Sequence, residues 1–127
     1  MRRWLALCLL LACDGDGPAD PGPRIECDTS LQNCPAGQTC DLVCDSLGSK
    51  VTCRPVPATS LPAGSACTGS EACGAGTGCF ATGTGGPVCV KYCSSNTDCT
   101  AGSCQVRRVL RGCATGQQSY MIKFCLP

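Results

Sequence analysis

Sixteen of the 127 residues are cysteine, and no other feature constrains the fold as tightly. A short chain above about 8–10% Cys reads as a disulfide scaffold. Disulfides persist in oxidising compartments, which points away from the cytosol. The cysteines are also regularly placed. Cys27 to Cys34 runs into Pro35-Ala36-Gly37 and Cys40, Cys67 to Cys73 into Gly74-Ala75-Gly76 and Cys79, and Cys93 to Cys99 into Thr100-Ala101-Gly102 and Cys104. Each segment holds Cys, a short polar stretch, Cys, one residue, Ala-Gly, and Cys again. Self-similarity of this kind means repeated units. The Gly has a mechanical role, because a sharp turn between closely spaced Cys needs positive φ, which Gly accepts without penalty.

The chain opens with basic Met1-Arg2-Arg3, an apolar run from Trp4 to Ala12, and an abrupt polar switch at Asp14-Gly15-Asp16. That order marks a secretory signal over residues 1–12, and the run is far shorter than the roughly 20 residues that span a bilayer. Leu10-Leu11-Ala12-Cys13 resembles the lipobox of bacterial lipoproteins. The resemblance implies cleavage before Cys13, diacylglycerol on its sulfur, and a further (palmitate-class) acyl chain on its new amino group. More than one chain is what a stable anchor requires. The other reading is an ordinary signal cut a few residues later, for example after Gly15. Residues 13–23 contain only small, acidic, Gly and Pro residues after the Cys, and read as a flexible acidic tether.

With Cys8 in the signal and Cys13 as anchor, fourteen Cys remain, an even number that allows full pairing. After each Ala-Gly knuckle comes a candidate hairpin: residues 40–44 and 50–53, then 79–82 and 87–92, then 104–110 and 119–125, with loops over 45–49, 83–86 and around 112–116. β-rich runs split by Gly clusters read in this way, and no stretch shows sustained helical periodicity. The expected fold class is therefore small, disulfide-rich, irregular β, with three knuckle-plus-hairpin repeats and little helix. Each repeat offers four framework cysteines: Cys27, Cys34, Cys40 and Cys53; Cys67, Cys73, Cys79 and Cys89; Cys93, Cys99, Cys104 and Cys125. Cys44 and Cys113 are left over. The expected pairing is first to third and second to fourth within each repeat, plus Cys44–Cys113, with Cys113 and Cys125 able to exchange roles. Fourteen Cys admit on the order of 10⁵ pairings, so spacing does not single this one out.

Disulfides stand in for a large core. Outside the signal the aromatic residues are Phe80, Tyr92, Tyr120 and Phe124, and units of roughly 30–60 residues bury too little surface to be stable alone. Bridges that close loops of about 15 residues contribute roughly 3 kcal/mol each. The units are expected at 24–55, 67–92 and 93–127, with a Pro-rich connector over 56–66. Three residues separate Cys89 from Cys93, so the last two repeats must abut, giving an N-terminal lobe, a connector and a two-repeat lobe.

The lipobox, the acidic tether and the Cys-x5-Cys-x-Ala-Gly-x-x-Cys repeats together resemble cysteine-rich bacterial lipoproteins of the myxobacterial type. The spacing is also similar to that of small animal disulfide modules such as dickkopf-like and EGF-like domains. The bacterial resemblance implies a lipid-anchored protein of the cell envelope, on the outer membrane ahead of the inner, and brings no assigned activity with it. The alternative is an extracellular inhibitor or toxin-like effector.

Other chemistries find little support. There is no Cys-x-x-Cys, the spacing of redox motifs and most zinc knuckles, and the chain has no His. No metal and no cofactor are expected. Nucleophilic catalysis needs a base beside its nucleophile. After Asp45 the only acids are Glu71 and Asp98, each in a knuckle loop where such residues bond their own backbone. No enzyme is expected. A net charge of +1 lacks the basic excess of a nucleic-acid binder.

Charge is nonetheless divided. Residues 13–60 carry three bases against seven acids, net −4, and residues 61–127 carry five bases against two acids, net +3. Arg107, Arg108, Arg111 and Lys123 fall on the third hairpin, beside Tyr120 and Phe124. This is the expected binding patch, suited to an envelope protein, acidic polysaccharide or lipid headgroups, against the plainer reading of a solvated exposed hairpin.

Overall fold

A computed structural model describes residues 22–69 and 72–127. The signal segment, Cys13, most of the tether and Glu71 lie outside the described residues. Among the described residues seven strands form: β1 Arg24–Ile25, β2 Gln38–Asp45, β3 Gly48–Pro55, β4 Thr77–Phe80, β5 Val88–Lys91, β6 Ser103–Cys113 and β7 Gly116–Leu126. They make three small sheets, β1-β3-β2, β4-β5 and β6-β7, each built on one antiparallel hairpin. The short β1 adds to β3 in parallel. Helical structure among the described residues is 3-10 only, a turn at Asn96–Asp98 and the residue Ala72.

Each repeat is built alike. The Ala-Gly glycines Gly37, Gly76 and Gly102 all sit at positive φ, 79°, 68° and 76°. In the first two repeats the amide after the Gly closes the turn, Gln38 onto Pro35 O at 3.1 Å and Thr77 onto Gly74 O at 3.3 Å. That is a turn with its third residue left-handed, a position where Gly carries no Cβ penalty. The chain enters the hairpin directly from this turn. The third and fourth framework cysteines then face each other across the strands: Cys40 opposite Cys53, Cys79 opposite Cys89, Cys104 opposite Cys125. Each reaches back to the knuckle, giving Cys27–Cys40 and Cys34–Cys53, Cys67–Cys79 and Cys73–Cys89, Cys93–Cys104 and Cys99–Cys125. The seventh bridge, Cys44–Cys113, joins the first hairpin to the third.

Two loops are shorter than expected. β2 and β3 pair out to Asp45 opposite Gly48, and β6 and β7 out to Cys113 opposite Gly116. Only Ser46-Leu47 and Ala114-Thr115 remain as loops. Gly48 and Gly116 take positive φ, 121° and 137°, which lets each strand leave a tight turn at once. The two tips lie together: a Cβ on Gly48 would stand 2.9 Å from Thr115 Oγ1.

The lobes are not separate. One buried cluster takes Cys27, Cys40, Leu42 and Val51 from the first unit, Phe80, Val90 and Tyr92 from the second, and Tyr120, Ile122 and Phe124 from the third. Phe80, Tyr92 and Phe124 pack with ring centroids 4.7–6.1 Å apart, edge-on, tilted and stacked, so the aromatic side chains of the described residues are concentrated where the units meet. A polar network crosses the same junction. Asp41 is fully buried, and its Oδ2 accepts a 2.6 Å bond from Arg54 Nε. Its Oδ1 accepts the hydroxyl of Tyr92 and, at 2.8 Å, the amide of Leu42. Arg54 also donates to Cys73 O at 3.1 Å and Thr77 O at 3.3 Å, tying the first unit to the second. Burial pushes the Asp41 carboxyl up, against the pull of Tyr92 and Arg54, and burial beside Asp41 holds the Tyr92 phenol well above its usual range. The expected connector is likewise part of the fold. Leu61 bridges to Cys73 and Ala66 to Val88, and Leu61 packs on the disulfide cluster of the second unit.

Candidate functional site

Once the three units share a core, the feature they position most conspicuously is the β6–β7 hairpin. It is fixed at its base by Cys93–Cys104 and Cys99–Cys125 and at its tip by Cys44–Cys113. Cross-strand partners share a face. One face carries Val109 opposite Tyr120, Arg107 opposite Ile122 and Gln105 opposite Phe124; the other carries Val106 opposite Lys123, Arg108 opposite Met121 and Leu110 opposite Ser119. The first face covers the core. Tyr120 and Phe124 are only 4% and 3% exposed, and Tyr120 is further held by its hydroxyl, which donates to Ser49 O at 3.0 Å.

This corrects the expected patch. Tyr120 and Phe124 sit beside the cationic side chains in sequence but point inward, because strand side chains alternate. The signal was present: Tyr120-Met121-Ile122-Lys123-Phe124 places Tyr, Ile and Phe on one face by period two. The residues missing from the expected patch are those on the opposite face. Val106, Leu110 and Met121 are 49%, 58% and 68% exposed. They zigzag across the sheet with Arg108 and Lys123 between them. Ile25, 64% exposed, lies with Val106 and Met121 on a groove of about 550 Å³ whose lining also includes Pro23, Val51 and Ile122.

None of Arg107, Arg108, Arg111 and Lys123 forms a salt bridge among the described residues. Among the described residues the salt bridges join Arg24 to Asp45, Lys50 to Glu26 and Asp45, and Arg54 to Asp41. The acids of the first unit are thus matched by its own bases, and Asp45 lies well below the usual carboxylate range because Arg24 bonds it. Arg107 instead bonds Gln105 Oε1 at 2.5 Å, Arg108 approaches Ser119 Oγ at 3.4 Å, and Lys123 approaches Ser94 O at 3.5 Å. Arg111, near the tip, is half-buried and enters no described salt bridge. The sequence-level charge cluster is therefore divided by the strands: Arg108 and Lys123 lie on the open face, while Arg107 and Arg111 lie on the side that carries Ile122 and Gln118.

Asp98 does local work. Its Oδ2 accepts the amides of Ser94 and Ser95 at 2.7 and 3.0 Å and the Ser94 hydroxyl at 2.8 Å, which lowers its pKa to about 2. It shapes the third knuckle. Three sulfur clusters, Cys27/Cys34/Cys40, Cys67/Cys73/Cys89 and Cys93/Cys99/Cys125, have sulfurs within 4.8 Å of one another. Each is the meeting point of two disulfides of one unit. Sulfur in a disulfide is not the thiolate that a metal ligand requires.

No protein-family model, curated protein or solved structure matches this chain. Among the described residues no helix is long and apolar enough to cross a membrane. What stands is a small, largely β domain held by several disulfides, with one apolar and basic face left open.

Proposed function

We propose that this protein is an exported, non-catalytic binding module that works as a disulfide-rich inhibitor or effector does, by pressing a rigid surface onto its target. The observation that carries this reading is the outer face of β6–β7. Val106, Leu110 and Met121 stand exposed between Arg108 and Lys123 on a hairpin bridged at both ends. A surface fixed before binding loses little conformational freedom on contact, which favours affinity.

A second reading keeps the same module on a lipid anchor in a bacterial envelope. It is favoured by Leu10-Leu11-Ala12-Cys13 at the polarity switch and by the acidic tether behind it. Here Cys13 carries the acyl chains and residues 14–23 lift the domain off the bilayer, with the outer membrane ahead of the inner. The described fold supports binding in either case, and the released form requires nothing beyond it.

A photo-crosslinking residue at position 110, compared with one at Thr84 in the exposed loop of the second unit, tests the binding reading. Target adducts from 110 but not from 84 are expected. Equal adducts, or none, would contradict it. Fractionation of the producing cells with intact mass then separates the two forms. A lipid-free chain in the medium supports the effector, and a chain starting at Cys13 and heavier by acyl groups supports the anchor.

A further inference from the structure

Resting on the binding-module reading, we propose that the outer face of the β6–β7 hairpin docks on an anionic lipid surface. Three observations choose this partner. The first is charge: Arg108 and Lys123 lie on this outer face, and Arg107 and Arg111 on the other side of the same hairpin, none with a carboxylate partner among the described residues. Each basic side chain near an anionic surface adds to its attraction.

The second is how the charge is mixed with apolar surface. Cross-strand pairing sets Lys123 beside Val106 and Arg108 beside Met121, with Leu110 one step further along β6. Of the exposed large apolar side chains among the described residues, these three share the face and Ile25 borders it. At a bilayer interface apolar tips enter the acyl boundary while Lys and Arg stems reach back to the phosphates. An acidic polysaccharide would engage the cations and leave Val106, Leu110 and Met121 in water.

The third is that this face carries no aromatic side chain among the described residues. Protein interfaces concentrate their binding energy in Trp, Tyr and Arg. Phe80, Tyr92, Tyr120 and Phe124 are all spent in the core, each no more than 8% exposed. A fluid lipid surface needs no shape-matched pocket, and this face offers aliphatic side chains and cations. The bridge Cys44–Cys113 adds stiffness, since it ties the far end of the hairpin to the first unit.

The test is sedimentation of the mature protein, made with Cys13→Ser so that no acyl chain can anchor it, with vesicles of phosphatidylcholine alone and of phosphatidylcholine with about one third phosphatidylglycerol. Binding to the anionic vesicles at least roughly ten-fold tighter than to neutral ones is expected, falling as salt rises from about 0.1 to about 0.5 M. Arg108→Gln with Lys123→Gln should weaken it roughly twenty-fold. Leu110→Ser with Met121→Ser should weaken it roughly ten-fold or more. Lys91→Gln, off this face, should change it less than about two-fold. All these positions are exposed, and native bridging of each variant is checked by non-reducing mass. No vesicle binding, equal binding to both vesicles, or a Lys91→Gln loss as large as that of the double cation variant would overturn the proposal. So would an unaffected Leu110→Ser/Met121→Ser variant together with equal binding to dextran sulfate, which would assign the face to polysaccharide. A crosslink from position 110 to a protein, in a chain that ignores vesicles, would overturn the lipid assignment while leaving the binding-module reading in place.

Discussion

Replacing Cys44 and Cys113 by Ser isolates what the bridge between the outer units contributes. Among the described residues the other six bridges lie within units and Cys44–Cys113 alone spans them, 69 residues apart in sequence. In the chain-entropy account an open loop of that length is worth about 4.4 kcal/mol. The unfolded chain is already bridged, however. The shortest covalent path from Cys44 to Cys113 runs to Cys53, on to Cys67 and Cys73, across to Cys89, on to Cys93, across to Cys104, and then to Cys113. That path is roughly forty residues long, and because the dependence is logarithmic the contribution falls only to about 4 kcal/mol. Cys44 is exposed and Cys113 half-buried, so two hydroxyls there are readily solvated and the loss reports the cross-link rather than a cavity. Guanidinium unfolding without reductant, compared with the parent, should show a loss of about 3–4 kcal/mol and a larger m-value, because the unfolded chain expands. A loss below about 1 kcal/mol with an unchanged m-value would refute the reasoning. It would mean that the shared aromatic core already holds the hairpins and that the unfolded chain is not released by cutting this bond.

Four further outcomes follow from the junction and the knuckles. A Cβ on Gly78 would collide with the Tyr92 hydroxyl and stand 2.8 Å from Asp41 Oδ1, so Gly78→Ala should cost roughly 2–5 kcal/mol by overpacking and by breaking a buried hydrogen bond. Gly37→Ala, at positive φ with open space around it, should cost only about 1–2 kcal/mol in the same denaturation assay. Arg54→Met leaves Asp41 buried without its cation and should cost roughly 3–5 kcal/mol, with near-ultraviolet circular dichroism reporting loosened packing around Tyr92. The carboxyl of Asp98 is held near 2, below its ordinary 3.8. Its contribution is therefore complete above about pH 4 and is lost as pH falls towards 2. Asp98→Asn should flatten that limb of the stability curve, and an unchanged acid limb would show that Asp98 does not shape the knuckle as described. Asp41, with its carboxyl raised by burial, works in the opposite direction and persists in that variant.

Much of the frame is legible in the sequence because it is encoded locally. Cys-x-Ala-Gly fixes a turn whose Gly must be left-handed, and Gly37, Gly76 and Gly102 all are. The turn delivers the chain into a hairpin whose two cysteines stand opposite each other, so the pairing within each unit follows from spacing once the strands are placed. What the sequence leaves open depends on contacts between units. Arg54 follows a framework cysteine at the end of a repeat and looks like the start of a linker, yet it is 7% exposed and bonded to Asp41. No local pattern announces an ion pair that exists only because the second unit covers it. Gln32 is similar: its amide bonds both the N–H and C=O of Cys40, acting as a strand where the backbone supplies none. The open face was half legible. The cations stood out as a charge cluster, while the apolar side chains among them needed the register of β6 against β7 to be recognised as neighbours.

The frame of bridges is the claim on which the open face depends, and tryptic digestion of the alkylated, non-reduced mature protein tests it most directly. Cleavage after Arg24, Lys50, Lys91, Arg107, Arg108, Arg111 and Lys123, with Arg54-Pro55 resisting, should leave two disulfide-linked assemblies. One joins 25–50, 51–91 and 112–123 through Cys34–Cys53 and Cys44–Cys113, and the other joins 92–107 and 124–127 through Cys99–Cys125. No alkylated thiol should appear in either. Finding 124–127 with the first assembly and 112–123 with the second would show that Cys113 and Cys125 have exchanged partners. The tip of the hairpin would then no longer be tied to the first unit, and a hairpin fixed as described would be ruled out.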